Sequence, residues 1–145
     1  MKLFVNLVPA ICVILGLGSV ASAATLKLEG LRNNDGYIAV SVFAEKDRAL
    51  YPEQGDQAAK TFYVKVGRLP FELEINHLPE GKYAISVMHD EDGDGKLKKG
   101  PMGIPKEGFG FSNNPKIFFG APDFDKVLFQ MNDDTVVKIV MKYKL

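Results

Sequence analysis

Asp90, Asp92 and Asp94 alternate through the stretch His89-Asp90-Glu91-Asp92-Gly93-Asp94-Gly95-Lys96-Leu97, and Gly95 holds the sixth place of the run that Asp90 opens. That order is the front half of an oxygen-ligand calcium loop. A hard divalent cation needs several oxygens at short range, and a tight wrap lets alternate residues point inward. The glycine permits the sharp turn that a side chain would block. The metal ligands named by this spacing are the carboxylates of Asp90, Asp92 and Asp94 and the carbonyl of Lys96, whose charged side chain then faces water. The back half departs from the pattern. Where an EF-hand closes on a bidentate Glu, this chain has Pro101, and only the later Glu107 is free to swing back as a replacement. The spacing predicts a loop ordered by calcium, not a calcium switch. A plain hairpin turn capped by Asp and Gly residues competes with it. Three carboxylates this close repel one another unless a cation or strong hydrogen bonds offset the charge.

The other candidates for chemistry are weaker. The two histidines, His77 and His89, stand apart, and no cysteine accompanies them beyond the N-terminal apolar stretch, which argues against zinc. His89 continues the register of Tyr83, Ile85 and Val87, so a partly buried histidine holding the loop by a hydrogen bond is its expected role. Ser112, in Gly110-Phe111-Ser112-Asn113, does not sit in a nucleophile elbow. Glu107 beside the aspartates makes a carboxylate pair conceivable, but acidic loops are more often structural or metal-binding. No enzymatic activity is expected.

These residues must be positioned by strands, because the dominant period of the chain is two. Ile38, Val40 and Val42 share one face of Tyr37–Phe43; Phe71, Leu73 and Ile75 alternate with glutamates; Val137, Ile139 and Met141 alternate with Lys138 and Lys142. With Tyr83–Met88, Thr25–Leu31, Thr61–Val66 and Asp125–Met131, this predicts an all-β domain, a single antiparallel sandwich of about seven strands with an immunoglobulin-like strand count. One helical turn near Arg48–Tyr51 is allowed before Pro52 and Gly55 end it. Asn33-Asn34-Asp35-Gly36 and Pro79-Glu80-Gly81 read as turns, each with a glycine able to take positive φ. Between Asp90 and Pro122 alternation stops, and seven of the 14 glycines fall there. Because Phe109, Phe111, Phe118 and Phe119 supply apolar surface, the expectation is one long, ordered, Gly-rich loop with a small satellite core.

Lys2, an apolar run from Leu3 to Val20 and the small-x-small signal Ala21-Ser22-Ala23 predict a cleaved signal peptide over residues 1–23, leaving a single domain over residues 24–145. The one cysteine, Cys12, lies in that leader without a lipobox, so the mature chain has neither disulfide nor thiolate chemistry. Its stability then rests on a core, and a chain of this length buries roughly two-thirds of its unfolded surface. Loss of Lys2 leaves 17 basic against 18 acidic residues. With no basic stripe, nucleic acid is not an expected partner. With no lysine-rich amphipathic helix, neither membrane insertion nor surface binding is expected after cleavage.

The run Gly81–Leu97 followed by Gly103-Ile104-Pro105-Lys106-Glu107-Gly108-Phe109-Gly110-Phe111-Ser112-Asn113-Asn114 is similar to an uncharacterised family of bacterial exported proteins, domain of unknown function 2141. The resemblance covers nearly the whole mature chain. Members of that family often carry Asn where this chain has Asp92 and Asp94. The resemblance implies a transthyretin-like or carboxypeptidase-regulatory-like sandwich and no established activity. Hydroxyisourate hydrolases share the transthyretin-like fold but end in Tyr-Arg-Gly-Ser, whereas this chain ends Tyr143-Lys144-Leu145, so their activity does not carry over.

The expectation is a periplasmic or secreted, non-enzymatic binding or structural module of the bacterial envelope, with an unidentified ligand or envelope partner. The alternatives are a metal-assisted hydrolase using the Asp90–Gly110 loop and a subunit recognised through a sheet edge. The leader supplies the first test. Intact-mass analysis of exported protein is expected to find Ala24 at the N-terminus, and material still carrying residues 1–23 would overturn that assignment.

Overall fold

The computed structural model describes residues 21–144 of the 145. The bulk of the predicted signal peptide, residues 1–20, lies outside them. Eight strands follow in order: β1 Ala21–Glu29, β2 Tyr37–Ala44, β3 Lys60–Lys65, β4 Phe71–Pro79, β5 Gly81–Asp90, β6 Gly108–Phe111, β7 Leu128–Met131 and β8 Thr135–Val140. Short 3-10 segments occupy Glu45–Leu50, Gly55–Gln57 and Pro101–Gly103, and one helical turn, α1, spans Phe124–Val127. The strands form two sheets. One has the order β4-β1-β8, and the other has β3-β2-β5-β6 with β7 also paired to β5. Their inner faces share one core, in which Leu26, Ile75 and Ile139 of the first sheet meet Ile38, Val42 and Ile85 of the second, all with no exposed surface. Each such side chain contributes about 1.5–3 kcal/mol by leaving water.

Four expectations are corrected. Eight strands replace about seven, and the pairing is not wholly antiparallel, because β1 and β8 run parallel from Ala24↔Thr135 to Glu29↔Val140. The first and last strands are joined through the whole domain, so parallel pairing needs no dedicated crossover. The segment between Asp90 and Pro122 is not one long irregular loop, since β6 lies inside it and pairs with β5 from Ser86↔Phe111 to His89↔Gly108. The inward positions of β6 are glycines because the core leaves no room for more. A Cβ on Gly110 would lie 2.5 Å from Ile139 Cγ2 and 3.2 Å from Met141 Sδ, and one on Gly108 would meet the Tyr143 ring. The predicted strand Asp125–Met131 also divides, with Phe124 and Val127 of α1 turned onto a second cluster with Phe43 and Ala84 on the far side of the β5 sheet.

Central β5 is buried on both faces over Tyr83, Ala84 and Ile85, because the inter-sheet core covers Tyr83 and Ile85 and the second cluster covers Ala84. Ser112 is a structural stitch there. It is fully buried, its Oγ accepts the Ile85 N–H at 2.9 Å, and its hydroxyl donates to the Val127 carbonyl. Gly36 does take a positive φ in the first predicted turn, whereas Gly81 opens β5 without one. The aromatic loop is half as predicted. Phe109 is buried and Phe111 packs against the second cluster, but Phe118 and Phe119 project into solvent. Among the described residues no helix is long and apolar enough to cross a membrane.

Gly110 gives a direct test of this packing. Gly110→Ala forces a methyl group into the filled space over Ile139, so a loss of about 1–3 kcal/mol is expected in chemical denaturation, with the slope unchanged.

Candidate functional site

The acidic loop leaves the end of β5, and its first carboxylate is entirely enclosed. Asp90 has no exposed surface. Its Oδ1 accepts the backbone N–H groups of Gly93 at 2.8 Å and Asp94 at 3.1 Å. Its Oδ2 accepts Gly95 N–H at 2.7 Å and the Tyr63 hydroxyl at 2.5 Å. Four donors fill the four lone-pair directions of a carboxylate. Gly93 and Gly95 reach this geometry at φ 73° and 74°, where a side chain would be strained. Gly93 also lies on the Tyr37 ring, which stacks on Tyr63 with centroids 4.6 Å apart and planes within 9°.

The remaining aspartates face outward. Asp92 pairs with Lys98, whose ammonium holds that carboxyl below its usual range, and it accepts Asp94 N–H at 3.3 Å. Asp94 accepts Lys96 N–H at 2.8 Å, and the Lys96 side chain is exposed, as expected from its place in the loop. Glu107 returns to the loop from β6's approach and is buried. It bridges two backbones by accepting Glu91 N–H at 3.0 Å and Lys98 N–H at 2.9 Å. One oxygen each from Asp90, Asp92 and Glu107 lies within 4.8 Å of the others. Of the predicted ligands, the fold therefore gathers Asp90 and Asp92 with Glu107, while the Asp94 carboxylate is outside that group.

The strand end is tied down from a second side. His89 is fully buried, with Nε2 2.8 Å from the Asp35 carbonyl and Nδ1 2.6 Å from the Tyr143 hydroxyl. A carbonyl only accepts, so Nε2 carries the hydrogen, and Nδ1 is left to accept from tyrosine. His89 is thus a hydrogen-bonded, buried histidine, but it ties down the β1–β2 connection and Tyr143 instead of the acidic loop. Arg32 forms a forked pair with Glu91, with its guanidinium 4.4 Å from the Tyr143 ring centre, and Asn33 Nδ2 adds a bond to the same carboxylate at 2.6 Å. The Arg32 bond is the main reason the Glu91 carboxyl titrates below its usual range. His77 lies at a bulge in β4 with φ 64° and takes no part.

Sequence reasoning missed Tyr63 and Lys98. Tyr63 sits on the outward register of an edge strand, where polar-tipped aromatics are ordinary, and nothing local links it to a residue 27 positions later. A concavity of about 550 Å³ follows the β3–β4 turn from Val64 to Glu72, and none of the acidic-loop residues line it.

The Tyr63–Asp90 bond yields a pH signature. The phenol bonds only while protonated, so the hydrogen bond to Asp90, with lesser contributions from burial and nearby charge, raises its pKa from 10.0 to about 12. The folded value exceeds the unfolded one, so the bond's stabilisation is fully present below pH 10 and is lost as pH rises through about 12. Difference ultraviolet titration of wild type against Tyr63→Phe is expected to isolate a tyrosinate transition near 12. A transition near 10 would mean the bond is not made.

No curated protein and no solved structure gives a significant match to this chain. A family model does match, over residues 26–139, from Leu26 within β1 to Ile139 within β8. It takes in β2 to β7 whole, the acidic loop and Glu107, and it is described as an uncharacterized protein conserved in bacteria (DUF2141); the chain belongs to that family.

Proposed function

We propose that the protein is an exported, non-enzymatic binding or structural module of the bacterial envelope, with its acidic loop organised by calcium. The observation that carries this reading is the convergence of Asp90, Asp92 and Glu107 oxygens within 4.8 Å. The donor set is all oxygen, which suits a hard cation. Glu107 stands where the calcium-loop pattern lacks its closing carboxylate, and an exported module needs only a site of roughly 0.1–1 mM affinity to be occupied. Lys98 currently supplies the positive charge at Asp92, so the ion would displace an ammonium. Ligation by Asp94 and the Lys96 carbonyl, the rest of the set proposed from sequence, would need the Asp94 carboxylate to move, since it lies outside the converging group.

A second reading has its own observation. Four hydrogen bonds already satisfy Asp90, which favours a metal-free turn. The hydrolase alternative is weakened because the concavity beside β3 is not lined by the acidic residues. Within the leading reading the two sheets form an immunoglobulin-like or transthyretin-like sandwich, supported by their shared core. Removal of residues 1–23 rests on the sequence signal Ala21-Ser22-Ala23; the β1–β8 pairing begins at Ala24, whereas Ala21 and Ser22 pair with Pro79 and Leu78 of β4.

Calorimetric calcium titration and thermal unfolding separate the two readings. With free calcium at one hundred times Kd, the expected gain is about 2.7 kcal/mol. Asp92→Ala is expected to abolish most of that gain and leave the metal-free protein nearly as stable. Equal melting temperatures in millimolar calcium and in chelator would leave the turn reading standing.

A further inference from the structure

Phe118 and Phe119 are adjacent, and their exposures are 75% and 92%. They lie in the segment between β6 and α1, whose flanking phenylalanines, Phe109, Phe111 and Phe124, are enclosed or packed. Two large aromatic side chains held in water are not accounted for by the fold, since an exposed apolar patch of this kind marks a contact surface. The base of the tip is fixed. Asn114 donates from Nδ2 to the Lys138 carbonyl at 2.9 Å and accepts Val140 N–H at 2.7 Å, so its amide covers the open edge of β8. Lys142 Nζ then donates to the Pro115 carbonyl at 3.1 Å. The phenylalanines are thus presented from an anchored base rather than left on a slack loop.

The unpaired charge identified beside them is positive. Lys116, two residues before Phe118, and Lys138 at the base make no ion pair among the described residues, and the Lys142 ammonium is bonded only to a carbonyl there. On the other flank, Asp123 is paired with Lys126 and Asp125 with Arg48, so the acidic groups near α1 are already neutralised. We propose that this tip docks the protein on an anionic phospholipid bilayer, with Phe118 and Phe119 entering the interface and the lysines facing the headgroups. Apolar burial and attraction to anionic lipid add in such contacts. A second copy of the chain fits less well, because it would set the same positive cluster against itself. The sequence argument against surface binding concerned amphipathic helices, and a loop tip achieves the contact without one.

The chain contains no tryptophan, so Phe119→Trp places a single fluorophore at the tip. The exported protein, kept in chelator to exclude calcium bridging, is mixed with phosphatidylcholine vesicles with and without phosphatidylglycerol. The expected result is a blue shift of the tryptophan and co-sedimentation with the anionic vesicles alone. The Phe118→Ser/Phe119→Ser variant should bind at least tenfold more weakly and Lys116→Glu several-fold more weakly, with both melting like wild type because these side chains touch no core. Equal sedimentation of wild type and the double serine variant, or no sedimentation of either, would overturn the proposal. So would dimerisation of wild type that the serine variant abolishes, since the tip's partner would then be a second copy.

Discussion

Asp90 is a charge without contact with water, and much of one end of the molecule is arranged around that fact. A buried carboxylate is costly unless its oxygens are fully hydrogen-bonded. Here the chain turns back on itself so that three successive amides aim at the group its own strand has just buried. Gly93 and Gly95 are required by that turn, and the stacked pair of Tyr37 and Tyr63 closes the remaining side. An alanine at Asp90 would leave those amides facing an apolar void.

The same logic extends outward in layers. Glu107 performs for two neighbouring amides what Asp90 performs for its own, and Glu91 gathers Arg32 and Asn33 from the connection between the first two strands. His89 and Tyr143 then join that connection to the C-terminal end. Backbone groups from three distant parts of the chain are therefore satisfied by side chains at a single strand end. On the calcium reading proposed above, a cation would enter a framework that already has its own internal balance of charge and would have to displace Lys98 from Asp92.

The sequence disclosed strands wherever one face was wet, because alternation is the imprint of a half-buried sheet. Ile38, Val40 and Val42 were legible for that reason, and so was the acidic loop, whose ligand types recur at fixed spacing. What stayed hidden follows from the same rule. In β6 the inward residues are Gly108 and Gly110, chosen for lack of volume, so a buried strand carries no apolar signal. The parallel union of β1 with β8 depends on residues more than a hundred positions apart and leaves no local trace. Tyr63 reads as a surface aromatic until the fold brings Asp90 under its hydroxyl. Phe118 and Phe119 mislead in the opposite direction, since aromatic content suggested packing where the chain exposes them.

The place of β1 has a consequence for how the molecule forms. It is the middle strand of its sheet, with β4 on one side and β8 on the other. Its second partner is the final strand of the chain, so that sheet cannot close until almost the entire polypeptide is present. Such remote pairing must overcome loop-closure entropy before it is rewarded, which slows folding. A chain threaded through a narrow channel with its first strand leading would remain pliable until its last residues had cleared the pore. The order of the strands thus makes closure of this sheet a late event that waits for the C-terminal strand.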